Sequence, residues 1–173
     1  MLEEEGDITS AIDCYNKAAK VKGIAGYAHL CLARLARAEN DNVKAEEFLT
    51  LAAREPKVKG KSLLERAEVF IKEGKANVAK IDLIEALSTF QKDENSFRKD
   101  SDSAADNANF IRARNRLDKA DKARLSQSPV LCHLAKIEAM NGCNEKAIQL
   151  LVEAVAKSPG FVPARYELAL LLD

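Results

Sequence analysis

Residues 134–159 read LAKIEAMNGCNEKAIQLLVEAVAKSP. After Gly142, Ala147, Leu151 and Ala154 follow one another at steps of four and three, which puts them on one face of a helix. Two small residues flanking a large one let a neighbouring helix come close while the large one fills the groove between its side chains. Before Gly142, Leu134 and Ala135 lie on the inner face of another helical segment, SPVLCHLAKIEAMNG. Glycine at the divide tolerates the left-handed backbone that ends a helix, and Pro159 stands where the second helix must stop. The stretch is a helical hairpin.

Laid over itself with a shift of 34, the chain repeats this hairpin. Ala147 falls on Ala113, Ala79, Ala45 and Ala11; Ala154 falls on Ala120, Ala86, Ala52 and Ala18. Between them Leu151 falls on Leu117, Leu83, Leu49 and Tyr15. The turns begin at Gly142, Ala108, Gly74, Asn40 and Gly6. The other first helices read AGYAHLCLARLARAEN, KSLLERAEVFIKEG and VPARYELALLLD; with SPVLCHLAKIEAMNG they carry a small inner residue at Ala33, Ala67, Ala135 and Ala169. Leu32, Leu134 and Leu168 precede three of these; Arg66 takes the fourth place. Five copies keep one register without an insertion. One copy is degenerate: in QKDENSFRKDSDSAADNAN, 91–109, Asp100 and Ser101 occupy the places of Leu and Ala. That stretch reads as a loop or a loosely held helix.

The organisation expected is repeats over 1–90 with the first truncated, then the polar segment 91–109. A degenerate basic helix, one full hairpin and an unpaired last helix fill 110–173. The chain starts inside one hairpin, with a turn at Gly6-Asp7, and ends inside another. It is therefore expected to be a piece of a longer repeat protein, or to dock its uncapped ends on other subunits by end-on stacking.

Composition agrees with helix. Ala, Leu, Glu and Lys dominate, aromatics are only 5%, and β-branched residues never alternate with polar ones for long. Lys+Arg and Asp+Glu both number 27, so no net field favours nucleic acid, an anionic membrane or an acidic substrate. No apolar run approaches the roughly 18 residues of a membrane span, and acids stand where a signal peptide would carry bases. The location expected is intracellular, cytoplasmic or nuclear. Cys14, Cys31, Cys132 and Cys143 form no C-x-x-C pair, and His29 and His133 add no ligand spacing, so no metal is expected. They read as small thiols within helices of a reducing compartment.

A 34-residue helix–turn–helix with Leu-Ala on the first helix, a Gly-Asn-like turn, Ala, a large residue, Ala and a closing Pro resembles the tetratricopeptide repeat. The resemblance spans nearly the whole chain. It implies an all-α fold: an α-solenoid of antiparallel helix pairs in a right-handed superhelix, about five repeats with one degenerate. Gly23, Lys57, Gln91 and Leu125 depart from the closing Pro, though Pro56 comes one residue early. The related pentatricopeptide repeat has a slightly longer usual period and does not ask for the second Ala.

In that family the first helices line a concave groove that grips peptides or helices. The groove residues here would be Tyr27, Leu30, Arg34, Arg37, Lys61, Leu64, Glu68, Lys72, Lys136 and Tyr166, with Cys132, Met140 and Leu170 beside the last two. The bland alternative is a solvent-facing surface without a partner. The carboxylate clamp of heat-shock co-chaperones does not fit, because Leu30 and Arg34 take its first pair and Glu65 stands where a donor should meet a carboxylate. A second candidate surface is the helix at 110–125, which carries Arg112, Arg114, Arg116, Lys119, Lys122 and Arg124 against Asp118 and Asp121. It would touch an acidic partner or nucleic acid, or be a solvated face with internal ion pairs. No phosphate loop, HExxH motif or nucleophile elbow occurs, so no catalytic residue and no cofactor are expected. The function expected is a non-enzymatic scaffold that binds other proteins, part of a multi-subunit assembly. The alternative is an RNA-associated repeat protein acting through 110–124.

Overall fold

The computed structural model describes residues 2–107 and 109–172, with side chains from residue 8 onward. Among these residues the chain is all-helical, without strands. The helices are α1 (Leu2–Ala18), α2 (Ala25–Ala38), α3 (Asn42–Ala52), α4 (Lys59–Lys72), α5 (Ala76–Asp106), α6 (Phe110–Leu125), α7 (Gln127–Met140), α8 (Asn144–Lys157) and α9 (Val162–Leu172). No helix of the described residues is long and apolar enough to cross a membrane. The chain forms two compact units, Met1–Asp82 and Leu83–Asp173, divided within α5.

The turns inside the hairpins share one hydrogen-bond pattern. Asp41 N–H donates to Ala36 O at 2.8 Å, Lys75 N–H to Phe70 O at 2.8 Å, Asn109 N–H to Ala104 O at 2.9 Å, and Cys143 N–H to Glu138 O at 2.9 Å. Each bond lies 34 residues from the next. Asn40, Gly74 and Gly142 sit in the left-handed region with φ of 59°, 75° and 77°. This is the Schellman ending, which satisfies the last helical carbonyls and turns the chain. At Gly74 and Gly142 an added Cβ would meet nothing within 4 Å, so glycine serves the backbone sign alone. Ala108, the fourth turn residue of the register, lies outside the described residues. The turn expected at Gly6-Asp7 is absent: α1 begins at Leu2 and passes through both residues. Glycine permits a turn without requiring one, and the acidic run Glu3–Glu5 suits a first helical turn.

In the first unit, Leu30, Ala33 and Ala36 of α2 meet Ala45, Leu49 and Ala52 of α3, with Val58 and Val69 of the next helical segment closing the cluster. Leu49 is wholly buried between its own first helix and α4, a burial worth about 2 kcal/mol or more. Arg66, in a place the register gives to Leu, is held by two bonds to Asp82 (2.7 and 2.8 Å) and one to Thr50 Oγ1 (2.9 Å). Its guanidinium also lies 5.9 Å from the Phe70 ring centre. In the second unit, Leu131, Cys132 and Ala135 of α7 pack with Ala147, Leu151 and Ala154 of α8 and Ala164 of α9, and Leu87 of α5 joins them.

Helix breakers decide the path of the chain after each second helix. The links 19–24, 53–58 and 158–161 contain Gly23, Pro56, and Pro159 with Gly160, and there the chain leaves the helix. The corresponding LSTFQK (87–92) and DKARLS (121–126) contain no Pro or Gly. In the first of these the helix runs on, making α5 31 residues long, about 46 Å. In the second, α6 and α7 share one residue, Ser126, with φ −68° and ψ −13°. Ser126 N–H still donates to Lys122 O at 3.1 Å. A single residue in right-handed helical conformation bends the chain but does not reverse it.

The segment 91–109 is therefore helical as far as Asp106. Several of its polar residues have partners. Ser101 is buried and donates through Oγ to Ala113 O at 2.9 Å. Asp100 faces Arg116 at 3.7 Å, and the Arg116 guanidinium lies 5.9 Å from the Phe97 ring centre. Glu94 stands two periods after Gly26, where an added Cβ would come within 2.6 Å of Glu55 Cβ. The larger residue fits because the places of Glu55 and Val58, which crowd Gly26, are taken here by the smaller Ala123 and Ser126. Glu94 is buried, accepts from Gln127 Nε2 at 2.7 Å and from Arg98 Nε at 3.2 Å, and lies 3.9 Å from Lys157 Nζ.

One expectation fails in α6. Leu117 shares its repeat place with Leu49 (0% exposed) and Leu151 (1%), yet it is 43% exposed. α7 leaves through Ser126 instead of folding back across it.

Candidate interaction surfaces

In the first unit, α2 and α4 present Tyr27, Arg34, Lys61 and Lys72 to solvent, while Leu64 and Glu68 are half-buried. Leu30, expected in the groove, is a core residue: it packs with Ala33 and Leu49. Arg34 and Arg37 are joined to α4. Arg34 Nε donates to both oxygens of Glu65 at 3.1 Å, and its Nη2 bonds Glu65 Oε1 as well. Arg37 Nη2 donates to Glu68 Oε2 at 2.8 Å, with Nη1 3.8 Å from Glu65 Oε2. The bond to Glu65 raises the Arg34 guanidinium above its ordinary value, against the opposing effect of burial. Glu65, which ruled out a carboxylate clamp, is the acceptor that ties two first helices together. The Arg34 side chain is nearly half exposed, so the pair contributes about 1 kcal/mol at most.

In the second unit, Lys136 Nζ of α7 lies 3.0 Å from Glu167 Oε1 of α9. Lys136 and Glu167 stand three periods after Arg34 and Glu65. The same register places thus carry the same kind of pair between first helices in each unit. Met140, Tyr166 and Leu170 are exposed, whereas Cys132 is buried and its thiol is pushed up by that burial. On α9, Val162, Ala169 and Leu172 are exposed too.

Of the six bases on α6, two are engaged internally. Arg116 lies near Asp100 and Phe97, and Arg124 Nη1 donates to Lys157 O at 3.1 Å. Arg112, Arg114, Lys119 and Lys122 project into solvent. Beside them Phe110 (72%) and Ile111 (80%) are among the most exposed apolar residues described.

Cys14 and Cys143 are exposed, Cys143 at the N-cap of α8. Among the described residues no group of three or more His, Cys, Asp or Glu could hold a metal ion. His29 stacks on Phe48 with ring centres 6.4 Å apart, and its Nδ1 is buried without a hydrogen-bond partner. Burial lowers its pKa, with Glu55 opposing.

Several residues that shape these surfaces are not evident from the sequence taken position by position. Glu65 and Glu167 could be found as a pair, because they share one register place. Phe110 and Ile111 carry no such signal beyond being large and apolar at the start of a basic helix. No family model matches the chain, and it matches no curated protein.

Proposed function

We propose that the chain is a non-enzymatic scaffold for protein–protein interaction, built as a tetratricopeptide-like α-solenoid and working within a multi-subunit assembly in the cytoplasm or nucleus. The observation that carries this reading is the helix-ending hydrogen bond at Ala36, Phe70, Ala104 and Glu138, repeated every 34 residues. The inter-helix pairs Arg34–Glu65 and Lys136–Glu167, three periods apart, support the same repeat. A repeat stack contributes surface rather than a reactive pocket, and its side chains serve recognition. Tyr27 and Lys61 on one unit, and Tyr166 and Leu170 on the other, are the exposed first-helix residues through which partners would be held. Nucleic-acid association through α6 is the second reading, favoured by four projecting bases on one helix.

Photo-crosslinking side chains placed at Tyr27 and Tyr166 in the native cell test the first reading. The result expected is discrete protein adducts that Lys61→Glu and Leu170→Glu, respectively, remove. Adducts indifferent to both substitutions, or adducts to RNA alone, would reject it.

A further inference from the structure

We propose that α6 pairs with α6 of a second copy of this chain, antiparallel about a two-fold axis, to form a weak homodimer. At 100° per residue, Phe110, Arg114, Asp121 and Leu125 lie within about 30° of one line along the helix; Leu117 lies about 50° to one side of it and Asp118 about 50° to the other. Phe110, Leu117 and Leu125 are exposed there. The order of residues on this line selects the occupant. Measured from the midpoint between 117 and 118, Phe110 and Leu125 are equally distant, and so are Arg114 and Asp121. A second α6 laid antiparallel about that midpoint sets Leu117 on Leu117. It also puts Arg114 of each copy opposite Asp121 of the other, and Phe110 of each beside Leu125 of the other. Every contact off the axis then occurs twice, as in the self-complementary interface of a two-fold dimer. A parallel pair would set Arg114 on Arg114 and Asp121 on Asp121, and like charges oppose it.

Asp121 can accept from a second copy. Its side chain is 46% exposed, and Arg98 and Arg124, at 3.6 and 3.7 Å, stand beyond hydrogen-bond distance. The other charge on the face is Asp118, which meets its own copy at the rim; Arg114 one turn before it and Lys122 one turn after it offset that repulsion. Arg112 and Lys119 point to the far side of the helix and take no part. An acidic helix or a nucleic-acid strand would bring negative charge against Asp121, where a second α6 brings Arg114. One helix of 16 residues buries less than the roughly 1,200 Å² of a standard interface, so the dimer should be weak, with Kd about 50–500 µM. The inference goes beyond the scaffold reading and uses none of the first-helix residues named for it.

Sedimentation equilibrium of the full chain tests it. Between about 5 and 500 µM the mean mass should rise from the 19.0 kDa of the monomer towards twice that. Arg114→Glu alone and Asp121→Arg alone each set like charges together at both contacts, and each should weaken association about tenfold or more. Mixed one to one, the two variants should associate as tightly as the wild type, because each supplies the opposite charge that the other lacks. A second measurement leaves the charges alone. With the four native cysteines replaced by alanine, Leu117→Cys should form an intermolecular disulfide under mild oxidation faster than Phe110→Cys. Phe110 is the more exposed of the two, but its copies lie about 22 Å apart along the pair, beyond the reach of a disulfide. A monomer throughout the concentration range, mixed variants no tighter than either alone, or faster linking through Phe110→Cys would overturn the proposal. So would association that appears only when a single-stranded RNA is added, the outcome of the nucleic-acid reading.

Discussion

Leu151 and Leu117 hold the same place in the repeat and lie in the same unit, but one is sandwiched between helices and the other is not. Replacing each by Ala turns that difference into energy. The substitution removes three carbons, worth about 0.8 kcal/mol each when fully buried, or roughly 2.4 kcal/mol. At Leu151, 1% exposed and enclosed by α7, α8 and α9, a cavity adds about 1–2 kcal/mol at ~24 cal/mol per Å³. The expected cost is about 3–4 kcal/mol. At Leu117, 43% exposed, little more than half the transfer energy is at stake and water fills the gap, so the cost is about 1–1.5 kcal/mol. Helix propensity changes equally at both sites and cancels. Urea unfolding monitored by circular dichroism measures both costs. Losses within about 0.5 kcal/mol of each other would refute the claim that α6 lacks the covering helix its counterparts have.

Other consequences are equally direct. Glu94→Ala leaves Gln127 Nε2, buried in the second unit, without its acceptor and should cost about 1–3 kcal/mol in the same assay; Glu94→Gln, which keeps an acceptor oxygen, should cost less. Disulfide exchange with a chromogenic reagent should consume Cys14 and Cys143 quickly and Cys132 only on unfolding, since burial keeps the Cys132 thiol protonated and out of reach. His29 has its folded pKa lowered by burial. The unfolded chain therefore takes up the proton first, and the contribution to stability is full above about pH 6.5 and falls as pH drops through the folded value. His29→Phe should shrink the fall in thermal midpoint between about pH 7.5 and 5.5 relative to wild type; an unchanged difference would contradict it.

Much of the fold was legible because its causes are local. Alanines at 45, 52, 79, 86, 147 and 154 are small where helices touch, and all are buried. Asn40, Gly74 and Gly142 mark turns because few other residues adopt their backbone cheaply. The two helical links were visible only as departures, at Gln91 and Leu125, from an expected proline. Their consequence, a helix carried through, depends on no breaker standing nearby, which is a property of six residues together rather than one. Asp100 and Ser101 read as damage because their partners, Arg116 and the Ala113 carbonyl, lie on another helix. Periodicity alone puts Leu30 in the groove. Neighbouring positions on a helix differ by 100°, and only the packing of α3 and the α4 segment decides which side is covered.

The claim on which the rest depends is that the chain does not reverse where the repeat lacks a breaker after its second helix. Ile84 and Asp102 are exposed on α5, on either side of the link 87–92. With the four cysteines replaced, nitroxide labels at Ile84→Cys and Asp102→Cys allow a pulsed dipolar distance measurement. A continuous helix sets the two backbone positions about 27 Å apart. A distance near 10 Å, the spacing of adjacent packed helices, would mean the chain reverses there, and the account of α5, of the bend at Ser126 and of the uncovered α6 would fall together.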